Sequence, residues 1–298
     1  LTGIRLALGI DEREHRLRRG QPALQELVGA CEALDRRQQQ RGRGDESDEI
    51  ATRDGAGSGL LEREDNHQRN AAGDDELDQW HQHRARAHDL HVELARAVGP
   101  DGKIFGIDPS DDMRKPAIER CSDYEWVEIV TGTANELPLE TDTADKAVSV
   151  QVFEYLDNVP GAVAEANRIL KPGGRLVIGD IHLDSLIWFS ENPDRMNRMI
   201  ASWDHHFTDR GVSVALPPLM RDAGFVIEHI QPITICDYTL KPDGLATMMM
   251  QLMARYATQN NHVDADEAQA WLDEQKSLAE QGRFFYSVTH FVVSARKP

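Results

Sequence analysis

The pattern of hydrophobic and polar positions changes near residue 88. After that point, stretches with apolar residues at helical spacing alternate with short and almost wholly apolar runs. The stretch 89–98 places Leu90, Leu94 and Val98 on one helical face. An apolar run at 103–108 follows after a turn. Helices that alternate with buried strands are typical of parallel βαβ units.

The same alternation continues to the end of the chain. Strands are predicted at 126–130, 145–150, 175–181, 225–238 and 284–297. Helices are predicted from Ser110, from Val159 to Leu170, and around 194–206, 215–223, 243–257 and 264–281. The last apolar run can pair antiparallel with the one before it. We therefore predict an α/β fold with a Rossmann-like, mostly parallel sheet, helices on both faces and an antiparallel last strand.

Residues 1–88 differ from the rest in composition. The first 102 residues contain no Lys, 15 Arg and only one of the 18 aromatic residues of the chain. Such a polar segment without periodicity cannot bury enough apolar surface to offset its ordering entropy, so we expect it to be irregular or disordered. We interpret it as a segment that is not native to the domain at 89–298, for example because of a frameshift. Within that domain, residues 243–281 form a predicted helical insert.

The net charge limits the classes of partner, and the cysteine content indicates the cellular compartment. The formal net charge is −18, which disfavours nucleic acid and anionic lipid as partners. No apolar run approaches the ~20 residues of a membrane span. The three cysteines are scattered, which is typical of a reducing compartment, so a cytoplasmic location is expected.

One family combines these elements in this order. The strand ending in Asp108, the strand at 145–150, and the segment ILKPGGRLVIGDI at 169–181 together resemble the class I S-adenosylmethionine-dependent methyltransferases. The closing segment GRFFYSVTHFVVSARKP is also similar to the last strand of small-molecule enzymes in this family. The resemblance covers about 89–298. It implies S-adenosylmethionine as cofactor and methyl transfer to a small-molecule acceptor.

Asp108 is the leading cofactor-binding candidate. It stands at the carboxyl end of a strand, where open α/β sheets bind ligands, and a carboxylate there can accept two hydrogen bonds from a ribose diol. The resemblance assigns it to the ribose and adds Pro109 and Met113, which follow it, to the cofactor-binding residues. The alternative is an acid that merely begins a turn.

Two further segments complete the expected cofactor site. The resemblance places Thr133 and Ala134, in the segment GTANELP, against the adenine, although Thr133 replaces the acid of the family. An ordinary loop is the alternative for that segment. Gln151 follows the strand at 145–150, at the crevice where the cofactor sulfonium and the substrate meet.

Methyl transfer requires alignment of a nucleophile, exclusion of water and, for some acceptors, removal of a proton. Candidate bases are His182, just past the strand at 175–181, and His206 or its neighbour His205. A structural or solvated histidine is the alternative for each. Four methionines in the insert can line an apolar substrate pocket or form a buried helix face; they are Met248, Met249, Met250 and Met253.

The glycine-rich loop of the family is missing from its expected place. Immediately before the helix at 89–98, Arg84, Arg86 and His88 occupy the positions of the glycines. The segment DGAGSG at 54–59 has the right glycine spacing, but it follows no hydrophobic strand. These observations keep two alternatives open: a non-catalytic methyltransferase-like protein and a nucleotide-dependent dehydrogenase. The histidines at 81–91 do not have the spacing of a metal site, and no metal is expected.

Overall fold

The computed structural model describes residues 6–11 and 89–298. A seven-stranded sheet organises these residues. Its strands are β1 Leu6–Asp11, β2 Gly102–Ile107, β3 Val127–Val130, β4 Ala144–Val150, β5 Leu170–Trp188, β6 Val226–Asp237 and β7 Tyr286–Arg296. Their order across the sheet is β3-β2-β1-β4-β5-β7-β6. Strands β2 to β6 share one direction, and β1 and β7 run against it. The predicted α/β fold with a mostly parallel sheet and an antiparallel last strand is confirmed.

Strand β5 is much longer than the predicted 175–181. It begins at Leu170, so the segment KPGG belongs to the strand, where Gly173 adopts a left-handed φ of 84°. At the other end, Ile187 and Trp188 pair with the first residues of β7. Strand β7 pairs with β5 from Arg175 to His182 and again at Ile187 and Trp188, which accounts for the extension beyond 181.

Strand β1 was not predicted from the sequence. It fills the central position between β2 and β4 and runs antiparallel to both. Leu6 lies opposite Ile107 and Ser149, near the carboxyl ends of those strands, whereas Asp11 lies opposite Gly102 at the start of β2. The chain therefore enters β1 at the edge of the sheet that carries Asp108 and leaves it at the other edge. The rest of the segment predicted to be irregular, including 54–59 and 82–88, lies outside the described residues.

The helices lie at the predicted places. They are α1 Asp89–Val98, α2 Asp111–Arg120, α3 Val159–Ile169, α4 Pro193–Asp204, α5 Val212–Asp222, α6 Leu245–Gln259 and α7 Ala265–Glu280, with a short 3₁₀ helix at Phe153–Tyr155. Helix α3 has Pro160 in its first turn and begins at Asn158, whose Oδ1 accepts the N–H of Gly161 at 3.0 Å. This cap satisfies a backbone donor that has no partner within the helix. None of the helices within 89–298 is both long and apolar enough to cross a membrane.

Two hydrophobic cores hold these elements together. The first packs α3 and α5 on the sheet, around residues such as Val163, Leu176 and Leu216. The second lies among α4, α6, α7 and the extension of β5 and β7. The predicted insert at 243–281 corresponds to α6 and α7. Its methionines Met249, Met250 and Met253 are buried in this second core, as expected for a buried helix face.

Candidate functional site

Asp108 lies directly after β2 and is almost completely buried. Its Oδ1 accepts the backbone N–H of Ser110 at 2.7 Å, and its carbonyl accepts a hydrogen bond from Arg114 at 2.8 Å. Ser110 occupies the N-cap position of α2, as predicted, but its side chain makes no capping hydrogen bond. The carboxylate is thus held rigidly at the carboxyl end of a strand, between β2 and the start of α2.

The residues after Asp108 differ in exposure. Pro109 is exposed in the turn, whereas Met113 is buried in the first turn of α2. Both lie at the same end of the sheet as Asp108 because the turn and the first turn of α2 follow β2 directly. Pro109 can contact a ligand from the solvent side, and Met113 can contribute only as part of the wall behind Asp108.

The loop after β3 carries the predicted adenine contacts. Thr133 is exposed, and its backbone exchanges hydrogen bonds with Glu136 at 3.2 and 3.4 Å. Ala134 is buried and packs into the first core together with Ile107. The burial of Ala134 therefore holds the backbone of this loop against the first core, while the side chain of Thr133 is exposed to solvent.

Gln151 marks the carboxyl end of β4. It adopts a φ of 54°, in the left-handed region that non-glycine residues rarely occupy, and its N–H donates to the carbonyl of Gly179 at 2.8 Å. Strain of this kind persists only where the surrounding structure imposes it, and it is concentrated at functional sites. The exposed side chain of Gln151 stands where the chain turns from β4 into the 3₁₀ helix.

Two buried acids lie below this turn. Asp180 on β5 is completely buried, and its Oδ1 accepts the N–H of Val152 at 3.0 Å. Glu154 in the 3₁₀ helix is 2% exposed, and its carbonyl accepts the N–H groups of Thr208 and Asp209. One oxygen of each acid, Oε2 of Glu154 and Oδ2 of Asp180, is buried without a hydrogen-bond partner.

The electrostatics of this pair follow from its burial. Burial raises the pKa of Glu154 from its ordinary value of 4.5 to about 7, against the opposing hydrogen bonds of Tyr155 and the Ile181 N–H. Burial, followed by the negative charge of Glu154, raises the pKa of Asp180 well above its ordinary value. Two carboxylates in such a medium cannot both ionise at low cost, so the pair retains a proton near neutral pH.

The candidate bases have different surroundings. His182 lies two residues beyond Asp180 on the same side of β5, half-buried, with its Nδ1 buried and without a hydrogen-bond partner. The ring of His206 stacks on Trp203 at 4.3 Å and meets the edge of Tyr155 at 5.4 Å. His205 is exposed, and its ring centroid is 5.1 Å from that of His262. The structure therefore brings His182 toward the acid pair and His206 into an aromatic cluster.

Comparison with known proteins gives a family match for part of the chain. A family model described as a methyltransferase domain matches residues 88–178, a range that begins at the change in composition. The matched range contains β2 to β4 with Asp108, Thr133 and Gln151, and it contains β5 as far as Ile178.

Individual relatives match parts of the chain. It is 34% identical over 211 residues to the uncharacterized 37.1 kDa protein in transposon TN4556 of Streptomyces fradiae, which covers 68% of this chain and 58% of that protein. It is 41% identical over 92 residues to demethylmenaquinone methyltransferase from Staphylococcus aureus, which covers 30% of this chain and 37% of that enzyme. The chain thus spans less than two thirds of the length of both relatives. The solved structure of the YcgJ protein from Bacillus subtilis is 20% identical, with a TM-score of 0.43, and the match covers 65% of this chain and 81% of that one.

The residues at this edge of the methyltransferase domain fit one half of an S-adenosylmethionine molecule. Asp108 offers a buried carboxylate to a ribose diol, and the loop at Thr133 offers backbone groups to an adenine ring. The family holds the rest of the cofactor with the loop after its first strand. In this chain β1 runs the other way, so the chain leaves β1 at the opposite edge, and the described residues contain no loop that follows β1 at this edge. In the part of the chain that the structure describes, no group of three His, Cys, Asp or Glu side chains is placed to hold a metal ion.

Sequence reasoning missed the acid pair. The sequence contained a signal that Asp180 is a buried acid, because it is the one acid within the largely apolar run RLVIGDI. A strand with such a run is covered by helices, so an acid within it is buried too. Glu154 had a weaker signal, since it lies between Phe153 and Tyr155 directly after a strand. In the folded protein Glu154 is buried, and the loop at 207–211 packs on the 3₁₀ helix through hydrogen bonds to its carbonyl.

Proposed function

We propose that this protein transfers the methyl group of S-adenosylmethionine to a small-molecule acceptor. The observation that carries the proposal is the position of Asp108 and Gln151. Both follow parallel strands of a domain that matches the methyltransferase family, one as a buried carboxylate and the other in a strained turn. Ligands of open α/β sheets bind at this edge.

The chemistry divides between cofactor and protein. S-adenosylmethionine, when bound, supplies an activated methyl group on a sulfonium. Asp108 would bind the ribose hydroxyls, with Pro109 and Met113 beside it, and the loop at Thr133 and Ala134 would contact the adenine. Gln151 would line the crevice where the acceptor is aligned.

His182 and His206 are the proposed bases for acceptors that must lose a proton. His182 is the better placed of the two, because its ring lies on the same side of β5 as the acid pair and its Nδ1 has no hydrogen-bond partner. His206 is stacked between aromatic rings, which suits it to hold an acceptor as well as to accept a proton.

Several features support a small acceptor in the cytoplasm. A net charge of −18 disfavours polyanionic partners such as nucleic acid or an anionic membrane. Cys121 and Cys236 are free thiols, as expected in a reducing compartment. The Staphylococcus relative is named for a small-molecule substrate, demethylmenaquinone. We also propose that residues 1–88 are not native to the domain, because the family match begins at 88.

Isothermal titration of the 298-residue chain tests the proposal. S-adenosylmethionine and S-adenosylhomocysteine are titrated separately, and NAD tests the dehydrogenase alternative. We expect binding of the first two, loss of that binding in Asp108→Ala, and retention in Asp112→Ala, which removes an exposed acid from the same helix turn. Binding of NAD alone would refute the proposal.

One observation favours the non-catalytic alternative. The direction of β1 leaves the crevice without the described loop that holds the cofactor in the family. If the folded chain binds neither sulfur compound, it is a methyltransferase-like protein without catalytic function. Circular dichroism on the same sample establishes that the chain is folded.

A further inference from the structure

The buried pair Glu154 and Asp180 lies next to the crevice, and within the described part of the chain no ion pair involves either acid. The carboxylate of Asp180 accepts the backbone N–H of Val152, which follows Gln151, and Glu154 lies two residues after Val152. Both side chains are more than nine-tenths buried, and one oxygen of each has no hydrogen-bond donor. Two ionised carboxylates buried in this way are costly even though the other oxygens are hydrogen-bonded, whereas a pair that holds one proton lowers that cost.

The other ionisable groups around the pair do not neutralise it. On the 3₁₀ helix, the hydroxyl of Tyr155 interacts with Glu154. On β5, His182 lies two residues beyond Asp180. From the loop after α4, Asp209 binds the N–H of Gly211 with its side chain. The neighbouring Arg210 forms ion pairs with two other acids, Asp184 and Asp204.

The remaining elements against the pair add no facing charge. Helix α5 contributes the Oγ of Ser213, which is buried without a partner, and its charged residues Arg221 and Asp222 are at its far end. Strand β4 has its ionisable residues at its start. Strand β7 places Phe291 opposite Asp180, and His290 points to the other face, where burial lowers its pKa to about 4 and keeps it neutral.

We propose that the Glu154 and Asp180 pair shares a proton that it releases when a sulfonium ligand enters the crevice and takes up again when the methyl group is transferred. The inference rests on the proposed function, since it requires that the crevice binds S-adenosylmethionine. A positive sulfonium favours the ionised pair by direct attraction in a medium of low dielectric constant. A neutral thioether has no such effect.

The proton balance of methyl transfer fits this behaviour. An acceptor X–H uses its electron pair to form the X–C bond, while the S–C bond breaks and its electrons stay on sulfur. The sulfonium thus becomes a neutral thioether, and X loses its proton. His182 receives that proton and passes it to the pair, which regains its shared proton in the step that removes the positive charge. Charge at the centre of the domain is therefore the same before and after transfer.

Titration calorimetry in buffers of different ionisation enthalpy counts the protons exchanged on binding. The probes are S-adenosylmethionine and S-adenosylhomocysteine, near neutral pH, with the full chain. We expect the first to release about one proton more than the second, because one ligand is cationic at sulfur and the other is not. The sulfonium makes the α-amino group of S-adenosylmethionine more acidic than that of S-adenosylhomocysteine, so the contribution of the ligands themselves is taken from the double variant Glu154→Gln and Asp180→Asn, which lacks both acids.

Two variants and a control assign the proton. Glu154→Gln and Asp180→Asn keep the shape of each side chain and remove its ionisation. The two substitutions together should abolish the pair's part of the difference in proton release, because burial alone still favours a proton on whichever acid remains after one substitution, while the affinity for S-adenosylhomocysteine stays within about threefold. Asp157→Asn removes an exposed acid just beyond the 3₁₀ helix and should keep the difference.

The outcomes separate the inference from the function on which it rests. Equal proton release for both ligands in the wild type, or a difference that survives unchanged in the double variant, refutes the inference but leaves cofactor binding established. Absence of binding by either ligand refutes the proposed function and the inference with it. Should the double variant fail to fold, the wild-type comparison still decides, because equal proton release there refutes the inference.

Discussion

The substitution Glu154→Gln should change how the stability of the protein depends on pH. Glu154 has a folded-state pKa of about 7 against an ordinary value of 4.5, because burial penalises its charged form. A raised folded-state pKa means that the native protein binds the proton more tightly than the unfolded chain does. The contribution of Glu154 to the stability of the folded protein is therefore fully present below about pH 4.5 and is lost as the pH rises through about 7.

The magnitude follows from the difference between the two pKa values. About 2.5 pH units at about 1.4 kcal/mol each give an upper bound of about 3.5 kcal/mol lost between acidic and mildly alkaline pH. Glutamine cannot ionise, so the variant should not show this part of the loss. Its stability relative to the wild type should rise across that range and then level off, whatever constant difference the amide introduces.

Urea denaturation followed by tryptophan fluorescence, repeated from about pH 4.5 to about pH 8, measures this difference. Glu165→Gln is a control of opposite sign. Hydrogen bonds from Arg168 lower the pKa of Glu165, so its ionised side chain stabilises the folded protein at neutral pH and this contribution is lost in acid. The Glu165→Gln variant should therefore be less stable than the wild type at neutral pH, and the deficit should shrink as the pH falls. Parallel curves for wild type and Glu154→Gln over the whole range would refute the reasoning, because they would show that Glu154 ionises in the folded protein as it does in water.

Two backbone predictions test the sheet. Leu8→Pro should destabilise the protein by about 3 kcal/mol or more, because β1 pairs on both sides at this residue and proline cannot donate; an unchanged denaturation midpoint would show that β1 does not contribute to the folded state in solution. Gly106→Ala should cost about 1–3 kcal/mol, because a Cβ there would clash with Cδ1 of Ile129 on β3 and would lie 2.6 Å from Nε2 of His91 on α1. Adding His91→Ala should recover part of that loss, and additive effects of the two substitutions would contradict the proposed contact.

Much of the fold was predictable because its signals are local. Apolar spacing identified the helices between Asp89 and Glu280, and the apolar run at 145–150 identified β4, since these periods reflect which side of an element is buried. The position of Asp108 after a strand was predictable for the same reason. The left-handed turn at Gln151 had no such signal, since any residue can follow a strand.

The site was less predictable because burial depends on distant segments. Nothing near Glu154 in sequence indicates that the loop at 207–211 covers it. His182 and His206 were equivalent candidates in the sequence, and only packing separates them, one beside the acid pair and one against Trp203.

By itself, the sequence determined the order of strands and helices from residue 89 onward, the composition break near 88 and the acid at the end of β2, because each depends on neighbouring residues. Tertiary structure alone decided the direction of β1, the length of β5 and the burial of the pair Glu154 and Asp180. A strand's direction in a sheet and a side chain's exposure are set by partners far along the chain. Hydrogen-bond pairing and desolvation arise only when those partners meet.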